Sequence, residues 1–407
     1  MVEAPAPKPV SAPDQSDPTP TREQLLDSDP SVPYIYRPGE LVWFNKGTAW
    51  GLAVICKRQM INSIPNYHLQ PLSHPLRHCP AVTKNQEDLR PWLAWTLPRT
   101  THPQIANLKY DAVPWERVLN GEFGPGDTEV DGSILAGKEI NDSYTPFIPL
   151  ERKTANPSDV LYAGMFLGAE KIWVGEAVRL QVPNNETVIM VIEAIIEQGT
   201  ATTKTASSTT IIGNIYTFVQ MHLPPIYNDR KNWPTPRLPP RIVADLQWRN
   251  ENSFDRRRNI WSEWQLKEPR AKRGLSAIKG RWYETRRLLP ILRPDEFEKE
   301  VAAGETYDAG VWMNSRFDAV NDALSRKTRL EAFGRAVPKD LKISLEVDEF
   351  PDDSKFSDKK STIQFGNPPV IDSQYGSMGV NAEEVGAHSD IDLPPEHQDF
   401  YGNTMQH

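Results

Sequence analysis

Four successive apolar runs between residues 160 and 222 constrain the fold more than any other feature of this sequence. They read VLYAGMFLGAEKIWV, EAVRLQV, VIMVIEAIIEQ and IGNIYTFVQMHL. In the second run Val178, Leu180 and Val182 fall on every other position, which is typical of a strand with one buried face. The two central runs, EAVRLQV and VIMVIEAIIEQ, are long and nearly continuously apolar, which favours strands buried on both faces. The region therefore predicts a β module.

Side chains around the second run have different expected roles. Trp173 ends an apolar run and is expected in the core, together with the alternating apolar residues. Gly175 predicts a turn after that run. At most Glu176 and Arg179 are expected to face a partner, and recognition is expected in the surrounding loops and in the basic segment at residues 248–293.

Short strands are also predicted between residues 34 and 100. The turn signal Pro38-Gly39 precedes the apolar end of YRPGELVWF, and the runs WGLAVICKR, YHLQPL and PWLAWTL follow. Three or four short strands joined by tight loops favour a small bent sheet or partial barrel.

The predicted fold is therefore mainly β with a few helices. It has two small bent-sheet or partial-barrel modules, at residues 34–100 and 156–335, with an irregular linker at 101–155 between them. Near the end of the second module, helical spacing of apolar residues predicts a C-terminal helix that packs on the module. Its apolar positions are Phe317, Val320, Leu324 and Leu330.

Both ends of the chain are predicted to be disordered tails. Residues 1–30 contain seven prolines and almost no large apolar side chains, so they cannot bury enough surface to fold alone. Residues 340–407 are similar but acidic, since Lys339 to Asp399 contain fourteen Asp and Glu against five Lys, a net charge of −9. Within this tail, the apolar patch at 343–347 could add an edge strand or bind a partner.

Composition limits the compartment and the class of protein. No apolar run reaches eighteen residues, which predicts no membrane span, and residues 1–18 lack the apolar core of a secretory signal. Two cysteines, Cys56 and Cys79, are too few for a disulfide framework, which indicates a reducing compartment. The sequence also lacks the phosphate-binding, dinucleotide-binding, serine-hydrolase and metalloprotease motifs. We therefore expect no enzyme, no cofactor and no small-molecule substrate.

One cluster has the composition of a metal site. His68, His74, His78 and Cys79 fall within twelve residues, and imidazole and thiolate are zinc ligands. However, Pro71 extends the chain between them, and the neighbouring His78 and Cys79 suit a single tetrahedral site poorly. The favoured interpretation is that the histidines pack around a loop, with no metal bound.

A basic segment at residues 248–293 is the candidate nucleic-acid surface. It contains thirteen Lys and Arg against five Asp and Glu, a net charge of +8, interleaved with aromatic residues. Cations neutralise phosphates and aromatic faces stack on bases; alternatively, the tryptophans anchor the segment to the core while arginine stems cover them. The candidate contacts are Arg256, Arg257, Arg258, Lys272, Arg273, Lys279, Arg281, Arg286 and Arg287.

A second aromatic group, in the first module, has two interpretations. Its members could form a cage for methylated lysine through cation–π attraction, or they could be core residues beside a hairpin. They are Tyr36, Trp43, Phe44 and Trp50.

Several strings resemble fungal members of the cryptic loci regulator 2 family of transcription-silencing proteins. They are RPGELVWF, WGLAVI, YHLQPLSHP, LRPWLAW, FLGAEKIWVGEAVRL, VIMVIEAIIE, IYTFVQM, KGRWYETRRLLPIL and GVWMNSR, and they span about residues 34–320. The resemblance implies a bromo-adjacent-homology-like β module. The positions matching that module's pattern are Gly175, Glu176, Val178, Ile192, Ile195, Tyr216 and Phe218.

The resemblance also implies a role. The family's proteins are nuclear, non-enzymatic subunits of a heterochromatin repressor assembly that joins a histone deacetylase to a chromatin remodeller. The leading hypothesis is therefore a chromatin-associated scaffold in the nucleus, whose partners are subunits of that assembly, with DNA or the nucleosome as a further candidate and no membrane. The alternative is a nucleic-acid-binding protein that acts through residues 248–293.

Overall fold

The protein is described by a computed structural model that covers residues 19–47, 49–151, 154, 156–182, 186–199, 209–316, 324–344 and 347–348. Every described residue belongs to one compact unit. The predicted tails lie mostly outside these residues, so their disorder stays a prediction. No helix in the described ranges is long and apolar enough to cross a membrane.

A short helix precedes the first sheet, although the sequence predicts disorder there. This helix, α1 (Arg22–Ser28), begins where the Thr21 hydroxyl accepts a hydrogen bond from the Gln24 backbone N–H at 3.1 Å, and it buries Leu26 and Asp27. A threonine followed three residues later by glutamine, just before an apolar pair, is a helix-start signal. The prediction of disorder is therefore wrong for these residues.

Short strands joined by tight turns form the first sheet, as the sequence predicts. The sheet contains β1 (Leu41–Asn45), β2 (Trp50–Ile61), β3 (Ile64–Pro71), β4 (Val82–Asn85) and β5 (Leu89–Pro91). These strands are antiparallel, in the order β4-β3-β2-β1-β5. Asn62 and Ser63 link β2 to β3 with φ angles of 51° and 61°, the left-handed pair that two-residue hairpins require.

The segment between the two sheets is largely regular, so the predicted irregular linker at 101–155 is wrong. It contains α2 (Trp115–Leu119), α3 (Thr128–Asn141) and β6 (Ser143–Leu150). Asp127 caps α3 by accepting hydrogen bonds from two backbone N–H groups of the first turn. Strand β6 already belongs to the second sheet.

The four apolar runs are strands of the second sheet, and the mainly β prediction is confirmed. After β6 come β7 (Val160–Leu167), β8 (Glu170–Trp173), β9 (Ala177–Leu180), β10 (Val188–Glu197), β11 (Thr209–His222), β12 (Ile260–Gly274), β13 (Ile278–Arg281) and β14 (Ser325–Arg326). The order is β12-β11-β10-β7-β6-β14, while β8 pairs with β7 and β9 lies between β10 and β13. Over the described strands, neither sheet closes into a barrel.

Burial follows the predicted pattern in part. Val188, Ile189 and Met190 are buried in succession, as expected for a strand covered on both faces. The other central run, β9, is buried at all four of its positions, whereas the second half of β10 includes half-buried and exposed residues. The fourth run, β11, alternates between buried and half-buried residues along its first half.

Helices cover the second sheet and its junction with the first. They are α4 (Pro240–Asp255), α5 (Thr285–Leu292), α6 (Pro294–Ala303) and α7 (Arg329–Phe333). The predicted C-terminal helix is wrong where it can be compared, because only the five residues of α7 are helical and Leu330 is exposed. Phe317 and Val320 lie outside the described residues.

The last described residues confirm the edge-strand alternative for the patch at 343–347. Strand β15 (Val347–Asp348) pairs in parallel with β2 opposite Arg58 and Gln59. Just before it, the Ser344 N–H donates to the Cys56 carbonyl oxygen at 2.8 Å. The chain therefore returns to the first sheet after completing the second.

Candidate interaction site

A cluster of buried charges joins the N-terminal arm, residues 22–37, to both sheets. Asp27 is its centre: one carboxylate oxygen accepts a hydrogen bond from Arg58 at 2.6 Å, and the other accepts one from Trp173 Nε1 at 2.8 Å. Arg37 Nε lies 3.4 Å from the second oxygen. Because Arg58 belongs to β2 and Trp173 to β8, this carboxylate connects the arm to the first and the second sheet.

The charges around Asp27 decide its ionisation. Burial alone would raise the pKa of Asp27, but the positive charges of Arg58, Arg37 and Lys171 outweigh burial and hold that pKa well below its usual value. The carboxylate is therefore ionised at neutral pH, and its charge is part of the folded structure.

A second ion pair fixes the turn after β8. Both terminal nitrogens of Arg37 donate to the Glu176 carboxylate, at 2.7 and 2.6 Å. The backbone N–H of Trp173 donates to the same carboxylate at 3.1 Å. Arg179 is buried and donates to the Arg281 carbonyl oxygen at 3.1 Å, so the expectation that it faces a partner is wrong. Glu176 is half-buried, and its contact with a partner stays a prediction. Trp173 is in the core as predicted.

Arginines from α4 and α5 hold the arm by its backbone. Arg241 Nε donates to the Asp27 carbonyl oxygen at 2.6 Å, and Arg287 donates to the Val32 carbonyl oxygen at 2.6 Å. Both arginines also form ion pairs with Glu284. Charged donors bound to carbonyl oxygens are strong hydrogen bonds, so the arm is fixed along its length.

The end of β13 continues this row of contacts. Arg281 donates to the Ile35 carbonyl oxygen at 2.9 Å and lies 3.2 Å from the Glu40 carboxylate. The neighbouring Tyr283 hydroxyl donates to the Glu170 carboxylate at 2.8 Å. Residues of the basic segment therefore act here as internal connections.

A shallow cleft opens between the arm and α4. Its lining includes the partly exposed ion-paired side chains Glu176, Arg241 and Arg287. The enclosed space is about 40 Å³, close to the roughly 30 Å³ that one water occupies in the liquid. Small-molecule sites are typically about 300–1,000 Å³, so the space in this cleft is smaller than that of such sites.

The proposed aromatic cage does not form. Tyr36, Trp43 and Phe44 are buried, which contradicts an open cage and agrees with the core alternative. Trp50 is half-buried and packs edge-on against Trp95, with ring centroids 4.8 Å apart.

The nine basic candidates do not form one surface. Arg281 and Arg287 hold the arm, so they are structural, and the prediction that they contact nucleic acid is contradicted. Arg258 pairs with Glu305 at 2.5 Å, and Arg273 pairs with Glu268 at 2.5 Å.

The remaining basic candidates have fewer contacts. Arg256 donates to the Asn252 side chain at 3.2 Å. Within the described ranges, four others form no ion pair: Arg257, Lys272, Lys279 and Arg286. Most aromatic residues of the segment are buried and unavailable to bases, namely Trp261, Trp264, Trp282 and Tyr283.

The histidine cluster is spread over a loop and a strand. His74 is buried and stacks on Trp115 at 6.1 Å, and His78 Nδ1 lies 3.1 Å from the Ser73 hydroxyl. Among the described residues, no three potential ligands gather to hold a metal ion. The contacts are those of side chains packed around a loop.

Sequence reasoning missed the arm and the charges that hold it. The capping pattern at Thr21 could have revealed α1. No local signal could have paired Asp27 with Arg58 or Trp173, because those partners lie 31 and 146 residues further along the chain.

A protein-family model matches the middle of the chain. Residues 161–284, which include β8 to β13, match the family model described as transcription-silencing protein Clr2. This segment is similar to the Clr2 family. The resemblance stated from the sequence is thereby confirmed over the matched residues.

One solved structure resembles the chain at low identity. It is described as the structure of Clr2 bound to the Clr1 C-terminus, with 17% identity, a TM-score of 0.45 and 78% of this chain covered. The match spans 63% of that Clr2 chain. A likeness of this size carries no functional argument. No curated protein matches the sequence.

Proposed function

We propose that the chain is a non-enzymatic scaffold subunit of a nuclear transcription-silencing assembly that contains a histone deacetylase and acts on chromatin. The observation that carries this proposal is the match of residues 161–284 to the Clr2 family. The proposal includes a bromo-adjacent-homology-like role for the module around β7 to β11.

One structural feature supports a scaffold. The charges that line the cleft beside the arm are ion-paired with one another, so they stabilise the joining of the two sheets. A rigid unit of two joined sheets presents partner surfaces in a fixed geometry.

Affinity purification of the tagged full chain from nuclei, followed by mass spectrometry, tests this function. Histone deacetylase and chromatin-remodeller subunits are expected to co-purify, and an unrelated nuclear protein with the same tag is the control. Recovery of metabolic enzymes alone would contradict the proposal. Cross-linking within the purified assembly would then map the contact surface.

Direct nucleic-acid binding is a second candidate, favoured by the basic residues that form no ion pair. The variant Arg257→Glu combined with Lys272→Glu should weaken binding to duplex DNA and flatten its salt dependence, because each phosphate contact contributes a slope of about −0.9. The same charge reversal at Arg77 and Lys109, two exposed cations outside the basic segment, is the matched control. Equal binding by the parent chain and both variants at low salt would exclude a role for Arg257 and Lys272.

A further inference from the structure

An aromatic cluster at the surface lies beside the end of α4. Residues 224–241 fold over the start of β12, so that Trp233 packs edge-on against Phe254 and Trp261, with ring centroids 5.7 and 5.4 Å apart. Tyr227 lies 4.5 Å from Trp261 and supports the cluster from behind. The Trp233 and Phe254 rings are inclined at 79° and form two walls.

A cation already occupies the corner between these walls. Arg230 Cζ lies 5.0 Å from the Phe254 ring centroid and 5.8 Å from that of Trp233, within the roughly 6 Å range of cation–π attraction. The guanidinium also pairs with the Asp255 carboxylate. The Arg230 side chain is 47% exposed and that of Asp255 is 63% exposed, so the bound cation is open to solvent.

We propose that Trp233, Phe254 and Asp255 form a binding site for a weakly hydrated cationic side chain of a partner protein, either arginine or methylated lysine. In the free protein the Arg230 side chain occupies the site in place of the partner's cation. Two aromatic faces and a carboxylate suit guanidinium and methylated ammonium groups. The site lies at the C-terminal end of α4, whose dipole also favours a cation.

The Arg230 side chain can move out of the site without displacing the Trp233 ring. Trp233 Nε1 donates to the Tyr227 carbonyl oxygen at 2.8 Å, and the Asn232 side chain donates to the Ile226 carbonyl oxygen at 3.0 Å. These bonds hold the loop independently of the Arg230 side chain. An ion pair between exposed groups is also weak.

Competition with Arg230 sets the apparent affinity for an external cation. A ligand can bind only the fraction of molecules in which the site is open, so its apparent affinity falls by that fraction. Among the arginines that follow Asp255, Arg256 binds Asn252 and Arg258 pairs with Glu305, while Arg257 forms no cation–π contact with either wall within the described residues. Removing Arg230 should therefore strengthen binding.

Calorimetric titration of the purified full chain tests the site. The probes are N-acetyl trimethyllysine amide, N-acetyl arginine amide and a neutral isostere that carries a tert-butyl group in place of trimethylammonium. The proteins are the parent chain, Arg230→Ala, Arg230→Ala combined with Trp233→Leu, and Arg237→Ala as a matched control. Arg237 is an exposed arginine of the same loop.

Arg230→Ala is expected to bind at least one cationic probe about tenfold more tightly than the parent chain and Arg237→Ala, which corresponds to about 1.4 kcal/mol. It should not bind the neutral isostere, and Trp233→Leu should abolish the gain. Three results would overturn the proposal: no binding of either cation by Arg230→Ala, equal binding of the isostere, or loss of the native fold in Arg230→Ala. The last result would show that Arg230 is required for the fold and is not a replaceable occupant of the site.

Discussion

Replacing Asp27 with asparagine tests whether one buried charge joins the arm to the two sheets. The change keeps the size of the side chain and leaves Arg58 and Arg37 without their shared countercharge. Removing one partner of a buried ion pair costs about 3–5 kcal/mol. Arg58 is 1% exposed, and two of its nitrogens have no hydrogen-bond partner among the described residues, so little nearby can compensate.

The asparagine carbonyl oxygen can still accept one of the original hydrogen bonds, which places the expected loss near the lower limit, at about 3 kcal/mol. Urea unfolding followed by tryptophan fluorescence measures this loss. The m-value of a unit this large is at least about 3 kcal/mol per molar urea, so the midpoint should fall by up to about 1 M. The same change at the exposed Asp111 is the control and should stay within about 0.5 kcal/mol of the parent chain.

The pH dependence separates charge from packing. Because the pKa of Asp27 is lowered in the folded protein, its stabilising contribution is present above the unfolded value of about 3.9 and is lost as pH falls below it. The difference between the parent chain and Asp27→Asn should therefore be largest at neutral pH and shrink below about pH 4. A loss under 1 kcal/mol at pH 7, or a gap that persists in acid, would refute the reasoning.

Three further changes have defined outcomes in the same urea assay. Burial raises the pKa of Asp142 to about 6, so the fold loses stability as pH rises from the unfolded value of about 3.9 to about 6. Asp142→Asn should therefore add about 1 kcal/mol at pH 7.5, after allowance for partial exposure, and almost nothing at pH 4. Gly39→Ala should lower the free energy of unfolding by more than about 2 kcal/mol, because the new Cβ would lie 2.7 Å from the Phe166 ring at a backbone φ of 85°. Gly47→Ala is the control: its φ is 97° but no atom lies within 4 Å of the new Cβ, so it should cost about 1 kcal/mol. Thr21→Ala removes the cap of α1 and should cost about 1 kcal/mol, which Thr21→Ser should restore.

The strands were predictable from the sequence because their signal is local. Alternation and continuous apolar runs report burial directly, and the runs at 160–222 became β7 to β11. The turn residues Asn62 and Ser63 gave a weaker signal, since neither is the glycine that such hairpins favour.

Helix α3 shows why the region between the sheets was mispredicted. Its sequence contains Gly132 and Gly137, which lower helix propensity by about 1 kcal/mol each. In the structure a Cβ at Gly132 would lie 2.5 Å from the His74 backbone nitrogen, and one at Gly137 would lie 3.0 Å from the Trp92 ring. The glycines let the helix approach the first sheet closely, so a tertiary requirement appears in the sequence as a helix-breaking signal.

The basic segment shows why the roles of charged residues could not be predicted from the sequence. Lys279 and Arg281 lie on the same short strand, yet Lys279 is half-buried without an ion pair to any described residue, whereas Arg281 is buried against Glu40. From the sequence both residues are equally good candidates for a nucleic-acid contact, because the charge of a side chain does not show which residue it pairs with. Glu40 lies 241 residues away, so only the fold decides which cations connect the sheets and which remain for a partner. In a chain of this type, a basic segment therefore predicts a nucleic-acid surface only through those cations that form no ion pair within the protein.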